Sequence, residues 1–162
     1  DMIGRFHEHV LDYRPKAVLI MGGGNDVMGG TQMQFVTNNI AMMAQLALDR
    51  GIIPMIGIQP EPDHKNVPEE IKSMLDYDQV KENLAELKQW LITFAKANNL
   101  PLIDFDTGMK NRLRAGYGRY FFDGIHPNPS GHRMMAIVAK EAFVKMGLLK
   151  EEAPEEDHRF DL

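Results

Sequence analysis

The sequence has 162 residues, a length typical of one domain, and its 44% hydrophobic and 25% charged residues match ordinary soluble globular proteins. A formal net charge of -5 disfavours nucleic acid as a partner, and the absence of cysteine excludes disulfides, thiolate metal sites and cysteine redox chemistry. No apolar run has the length of a membrane span, and no signal peptide is visible. We expect a cytoplasmic protein, with secretion as the alternative because the chain opens on Asp1 and not on methionine.

The N-terminal third alternates predicted helices with an apolar strand. Apolar residues at helical spacing predict an amphipathic helix over residues 2–13. A short apolar run bounded by proline and glycine predicts a buried parallel strand over 16–21. A glycine loop follows as far as Gly30, and Thr31 is expected to cap a helix over 31–50.

The rest of the chain continues this alternation. A second strand is predicted over 52–58, and the loop that follows is long and broken by prolines. We expect residues 59–79 to shape a pocket, since they form such a loop directly after a strand. The other predicted elements are a short helix at 68–75, a helix at 78–98, a strand at 101–105, a short helix and glycine-rich loop at 107–119, and a last helix at 129–146.

Helices and strands in this order predict a layered α/β fold with a parallel sheet and right-handed crossovers. Residues 1–150 are interpreted as a single domain, and residues 151–162 as an acidic, solvated tail. Functional groups in such folds lie in the loops at the carboxyl ends of the strands. Two segments with polar side chains satisfy or approach that rule.

The first segment is the glycine loop Gly22–Asp26, which directly follows the first strand. It lacks the last glycine of a dinucleotide fingerprint and the Lys-Ser/Thr of a phosphate-binding loop. An asparagine beside free glycine amides is the composition that an oxyanion hole requires. The alternative is a tight turn in which Asn25 and Asp26 merely stabilise the backbone and cap the next segment.

The second segment is Asp123-Gly-Ile-His126, in a loop punctuated by glycine and proline before the last helix. Side chains three apart on a turn can meet, so Asp123 can accept a hydrogen bond from one imidazole nitrogen and leave the other basic. A carboxylate that orients an imidazole supplies two of the three members of a hydrolytic triad. The alternative is a structural histidine at a helix entrance. No ligand spacing of the zinc type appears, so no metal site is expected.

Together, Gly23-Gly24-Asn25-Asp26 and Asp123-x-x-His126 resemble the third block (G-x-N-D) and fifth block (D-x-x-H) of the SGNH hydrolases, the GDSL-type lipases and acylhydrolases. The resemblance extends from residue 1 to about residue 148. It implies a flavodoxin-like, three-layer α/β/α sandwich and a serine esterase that hydrolyses a small-molecule ester without a cofactor. By position, it implies that His126 is the general base, Asp123 its orienting partner, and Asn25 and Gly23 parts of the oxyanion hole.

The chain departs from that family in the nucleophile, because no Gly-Asp-Ser block is present. Ser73 is expected on a surface helix and Ser130 at a capping position. The chain is therefore interpreted as the C-terminal part of such an enzyme, without its first two strands and its serine. The alternative is a non-catalytic module that binds a ligand or assembles. The strand at 16–21 would become a sheet edge, which a preceding segment or a second copy would have to cover.

Overall fold

In the computed structural model, which describes residues 2–113 and 116–150, three short strands form one parallel sheet. They are β1 (Ala17–Ile20), β2 (Ile53–Ile58) and β3 (Leu102–Asp104), in the order β1-β2-β3. The register places Leu19 beside Met55 in the first pair and Gly57 beside Ile103 in the second. The predicted parallel strands are thus confirmed to within one or two residues at their ends.

Helices connect and follow these strands. They are α1 (Phe6–His9), α2 (Gly24–Met28), α3 (Met33–Leu48), α4 (Glu69–Met74), α5 (Tyr77–Ala97), α6 (Phe105–Leu113) and α7 (Pro129–Lys145), with short 3-10 segments at Ile3–Arg5, Leu11–Tyr13 and Tyr117–Tyr120. The side chain of Asp76 caps α5 by accepting from the backbone N–H of Gln79 at 3.2 Å. The long amphipathic helix predicted at 78–98 is therefore present and begins one residue earlier.

The sheet separates two apolar layers because successive strand residues point to opposite faces. Ile20, Ile56 and Ile58 pack on one face with the buried stripes of α3 and α5. Met55 and Ile103 pack on the other face with α6 and α7. Helices therefore cover both faces, which makes the fold the predicted three-layer α/β/α sandwich.

The helix predicted over 2–13 is not continuous, although the apolar face predicted for it is buried. The segment breaks into α1 and two 3-10 turns, although Phe6 and Leu11 on the predicted face are buried. The break coincides with Val10, whose φ of -131° is not helical, and the end with Arg14 in the left-handed region. A residue that precedes proline is disfavoured in the right-handed helical region, so the helix cannot continue past this point.

The loop predicted up to Gly30 contains the five-residue helix α2. The predicted cap at Thr31 is also wrong, because α3 begins at Met33 after Gln32, without a side-chain cap. The Thr31 N–H donates instead to the carbonyl of Asp26 at 2.9 Å, which closes the turn after α2. That hydrogen bond assigns Thr31 to the preceding turn.

Strand β1 lies at one edge of the sheet, and in the part of the chain that the structure describes it pairs only with β2. Ala17, Val18 and Leu19 are partly buried. The N-terminal segment contributes Phe6 and Val10 to a cavity against the β1 side chains. No helix within residues 2–113 and 116–150 is long and apolar enough to cross a membrane, and the predicted tail at 151–162 lies outside the described residues.

Candidate active site

Asp123 and His126 contact each other as the sequence predicts. Asp123 Oδ2 lies 2.7 Å from His126 Nδ1, and Asp123 Oδ1 accepts from the backbone N–H groups of Ile125 and His126 at 3.0 and 2.8 Å. The His126 side chain is 67% exposed, and no described residue forms a hydrogen bond to its Nε2. A carboxylate thus fixes one ring nitrogen while the other faces the outside of the turn.

The turn that carries this pair is closed by backbone hydrogen bonds. Phe121 and Pro127 form an isolated antiparallel bridge, and the Phe122 N–H donates to the carbonyl of His126 at 2.9 Å. Asn128 caps α7, since its side-chain oxygen accepts from two backbone N–H groups at 3.0 Å while its amide donates to the Arg119 carbonyl at 2.7 Å. The segment after Tyr120 is therefore a braced turn between two helices.

Burial alone would raise the pKa of Asp123, but the hydrogen bonds from the backbone and ring of His126 and from the Ile125 N–H lower it from 3.8 to about 2. A carboxylate whose pKa is lower in the folded state stabilises the fold above its unfolded pKa, and loses that contribution as the pH falls through the folded value. The window of loss for Asp123 is therefore acidic, from about 4 down to about 2.

We expect Asp123→Asn to lower the free energy of unfolding at pH 6 and to have a progressively smaller effect towards pH 2, because the wild-type carboxylate becomes protonated there. Urea unfolding of both proteins across that range measures the difference. A destabilisation that is constant with pH would show that the charge of Asp123 contributes nothing to folding.

The glycine loop places Asn25 in the first turn of α2, at the carboxyl end of β1. Gly23 precedes this helix with a φ of 96°, and a Cβ at Gly23 would lie 2.8 Å from a methyl carbon of Val36. Glycine is thus required there both by backbone conformation and by space. Asn25 is exposed, has a helical backbone, and forms no side-chain hydrogen bond with any described residue. The interpretation of Asn25 as a turn or capping residue is therefore wrong.

Asn25 lines an open cavity of about 670 Å³ at the carboxyl end of β1. Its other walls come from the glycine loop, the N-terminal segment, α3 and the residue that follows β2, namely Met2, Ile3, Met21, Gly22, Gly23, Gly24, Asp26, Thr31, Val36, Asn39, Ile40, Met43 and Gln59. A second cavity, of about 270 Å³, lies between α5 and the loop after β2. Gly22 and Gln59 line both cavities, so the two are neighbours at the carboxyl edge of the sheet.

The loop after β2 contacts both candidate segments. A Cβ at Gly24 would lie 2.1 Å from the side-chain amide of Gln59, so these two residues are closely packed. Further along, the Asp63 N–H donates to the carbonyl of Gly124 at 2.7 Å. The loop after β2 therefore touches both the glycine loop and the Asp123–His126 turn, although no hydrogen bond joins Asn25 to His126 and neither Asp123 nor His126 lines these two cavities.

Neither serine of the chain is hydrogen-bonded to His126. Ser73 lies on α4, is exposed, and donates to the carbonyl of Glu70 at 2.9 Å. Ser130 is exposed in the first turn of α7. Its predicted capping role is wrong, because Asn128 is the cap and the Ser130 backbone N–H is one of the donors to it. Both serines therefore lie on the surfaces of helices, and neither is positioned by a hydrogen bond to His126.

The sequence did not indicate a cluster of charged residues around the buried carboxylate of Asp106, beside these loops. Asp106 is only 1% exposed, and its carboxylate lies 2.5 Å from Lys88 Nζ and 2.9 Å from Lys110 Nζ. Lys110 also pairs with Glu61, whose carboxylate lies 3.3 Å from His64 Nε2. In the sequence, the one indication of a functional role for Asp106 was its place just after a predicted strand. No group of three or more potential metal ligands occurs among residues 2–113 and 116–150.

A parallel sheet between helical layers, with an aspartate–histidine turn and an amide-bearing glycine loop at its carboxyl edge, defines a hydrolase-like α/β/α protein. The model of the GDSL-like lipase/acylhydrolase family matches residues 1–134. The chain belongs to this family, which places it among the esterases and acylhydrolases. None of the curated proteins matches the sequence.

Several solved structures share the fold. A GDSL-like lipase from Bacteroides thetaiotaomicron is 27% identical with a TM-score of 0.72, over 89% of this chain and 69% of that chain. A member of the lipolytic G-D-S-L family from Veillonella parvula is 24% identical with a TM-score of 0.68, over 89% and 73%. An acetylxylan esterase from Geobacillus stearothermophilus is 18% identical with a TM-score of 0.65, over 90% and 65%.

Proposed function

We propose that the protein is a serine esterase or acylhydrolase that works through a Ser-His-Asp triad, with His126 as general base and Asp123 as its orienting partner. The observation that carries the proposal is the Asp123–His126 contact of 2.7 Å, which leaves Nε2 exposed and unpartnered among the described residues. A carboxylate at Nδ1 keeps the proton on that nitrogen and Nε2 basic, and it stabilises the imidazolium that forms during catalysis.

The reaction follows from this geometry. The serine oxygen attacks the ester carbonyl while its proton passes to Nε2 of His126, and the bond to the alcohol breaks as that proton is returned to the leaving oxygen. A water molecule then repeats the sequence on the acyl-enzyme. In the tetrahedral intermediates the carbonyl oxygen carries negative charge, for which we propose the Asn25 carboxamide and the Gly23 N–H as donors.

The free carboxamide of Asn25 supports its proposed role. A side-chain amide without a partner among the described residues is available to a ligand, and this one lines the 670 Å³ cavity at the carboxyl end of β1. Gly23 lies two residues earlier, where its positive φ and close packing fix the path of the backbone. The Gly23 backbone N–H is thereby held in place before the reaction, and such a donor stabilises developing charge without reorganisation.

We propose that the nucleophilic serine lies on a segment outside these 162 residues, next to β1. Two observations support this: neither Ser73 nor Ser130 is hydrogen-bonded to His126, and the cavity of about 670 Å³, which Asn25 lines, lies at the carboxyl end of the edge strand β1. A strand added beside β1 would also satisfy its free backbone edge. A second copy of the chain covering that edge is the alternative occupant.

The cavity of about 270 Å³ is proposed to hold the acyl chain of the substrate. Leu84, Leu87, Leu91 and Ile92 of α5 give it an apolar wall, and residues 59–62 and 64 close it from the other side. Residues 59–62 and 64 belong to the long loop that was expected to shape a pocket. A cavity of this size suits a short acyl chain.

We expect Ala85→Phe to reduce kcat/KM for a butanoyl ester relative to the acetyl ester by roughly tenfold, since two methylenes are worth about 1.6 kcal/mol. Ala85 is exposed and lines this cavity, so the larger side chain can fill it. The control is Ala97→Phe, at the exposed last residue of α5. An unchanged acyl preference in Ala85→Phe, or an equal change in both variants, would place the acyl chain elsewhere.

A non-catalytic module is the second candidate, because neither serine of the chain is hydrogen-bonded to His126. A burst experiment separates the two functions. When the protein with its natural N-terminal segment is mixed with 4-nitrophenyl acetate, a serine esterase that accumulates its acyl-enzyme releases a burst of nitrophenol that approaches one equivalent, followed by steady turnover. Neither burst nor turnover with acetyl or butanoyl esters would favour the non-catalytic module.

A further inference from the structure

The carboxylate of Asp106 is buried, and burial makes its charged form energetically unfavourable unless the charge is paired. Asp106 lies in the first turn of α6, two residues after the end of β3, and it is held by Lys88, Lys110 and the backbone N–H of Glu61, the last at 3.2 Å. Burial would raise the pKa of Asp106, but hydrogen bonds from these three partners lower it. Lys88 and Lys110 are themselves 34% and 41% exposed, so solvent weakens both ion pairs and their contribution to stability is small. What the three partners impose is the position of the Asp106 carboxylate.

That geometry is imposed on the loop after β2 through Glu61. The Glu61 N–H donates to Asp106, its carbonyl accepts from the Tyr117 hydroxyl at 2.9 Å, and its carboxylate pairs with Lys110. All three polar groups of this loop residue are therefore bound to side chains of α6 and the Tyr117–Tyr120 turn. The loop is fixed at this point relative to the sheet.

Two residues further on, the same loop holds the Asp123–His126 turn. The Asp63 N–H donates to the Gly124 carbonyl at 2.7 Å. Gly124 has a φ of 77°, and a Cβ there would lie within 2.7–2.9 Å of backbone atoms of Asp63, Asn66 and Val67. The loop backbone thus packs directly on the glycine between Asp123 and His126, and a displacement of the loop would displace the turn.

We propose that Asp106 is a positioning residue. Together with Lys88 and Lys110 it fixes the position of Glu61, and the loop that contains Glu61 then holds Gly124. Asp123 and His126 therefore keep their hydrogen bond and their orientation. This proposal rests on the esterase function for its effect on turnover. Its effect on the turn itself does not depend on activity. Asp106 does not touch the substrate in this account.

The experiment compares Asp106→Asn with Asp104→Asn in the protein with its natural N-terminal segment. Asp104 is a matched control, because it is the last residue of β3, immediately before α6, and accepts from the N–H and hydroxyl of Thr107 at 2.9 and 2.6 Å without a hydrogen bond to Glu61. Both variants are expected to lower Tm. Lys110→Met is a second variant, since it removes the ammonium group shared by Asp106 and Glu61.

Two readouts are taken at a temperature where circular dichroism shows each variant folded. We expect Asp106→Asn and Lys110→Met to lower kcat about tenfold or more with KM within twofold of wild type, by the sensitivity of catalysis to small misplacements. The NMR resonance of the His126 Nδ1 proton should shift or broaden in both variants. Asp104→Asn should leave kcat and this resonance unchanged.

Wild-type kcat and an unchanged Nδ1 resonance in Asp106→Asn would overturn the proposal, as would equal changes in Asp104→Asn. If Asp106→Asn does not fold, Lys110→Met decides by the same two criteria. A wild-type protein that hydrolyses no ester would refute the proposed function and leave the NMR comparison as the test of the positioning role.

Discussion

His126→Ala is expected to lower kcat for a chromogenic short-chain ester on the order of 10⁶-fold in the complete enzyme, because loss of the base leaves the serine without a proton acceptor. The exposed imidazole contributes little to packing, so Tm should change little. His132→Ala is the matched control, since His132 is an exposed histidine on α7 of the same chain. Steady-state kinetics and thermal unfolding of the two variants provide the comparison.

The two histidines distinguish the proposed roles. If His132→Ala reduces turnover more than His126→Ala, the base has been assigned to the wrong imidazole even though the fold is right. If both variants retain full kcat, the Asp123–His126 pair is a structural feature of the entrance to α7. Either outcome would leave the hydrogen bond of 2.7 Å without a catalytic function.

Asn25→Ala is expected to lower kcat by roughly a hundredfold or more with little change in stability. Removing one oxyanion donor costs about 3 kcal/mol of transition-state stabilisation. The side chain is exposed and makes no internal hydrogen bond with the described residues, so its loss removes no folding contact. A capping residue would show the opposite pattern, with a loss of about 1 kcal/mol in folding and no specific effect on turnover.

The measurement is kcat, KM and Tm of Asn25→Ala beside those of Asn39→Ala. Asn39 lies on α3, is exposed, and lines the same cavity as Asn25. We expect Asn39→Ala to resemble wild type. Full kcat in Asn25→Ala, or an equal loss of kcat in the Asn39 variant, would contradict the oxyanion role of Asn25.

The sequence predicted the layers of this fold because apolar residues recur at a different spacing in the helices and in the strands. The buried stripe of α5 and the apolar runs of β1 and β2 are strong local signals, and their order implies the parallel sheet. The break near Val10 and the helix α2 were missed, since both depend on short turns that are closed by local backbone hydrogen bonds. Boundaries shifted by one or two residues elsewhere.

The candidate site was predictable where its residues are close in sequence. Asp123 and His126 are three apart, so a turn brings them together, and Asn25 lies in a glycine loop that directly follows a strand. In the Asp106 cluster, Asp106 and Lys110 are four residues apart on α6, but Lys88 lies 18 positions before Asp106 and Glu61 lies 49 positions before Lys110. Only the folded chain brings Lys88 and Glu61 to this pair, so the sequence could not reveal the whole cluster.

We propose above that His126 activates a serine that lies outside these 162 residues. The most direct test treats the complete enzyme with a fluorophosphonate and maps the adduct by peptide mass spectrometry. We predict one adduct, on a serine in a segment preceding Asp1, and its absence in His126→Ala. An adduct on Ser73 or Ser130 of the wild-type protein would contradict the account.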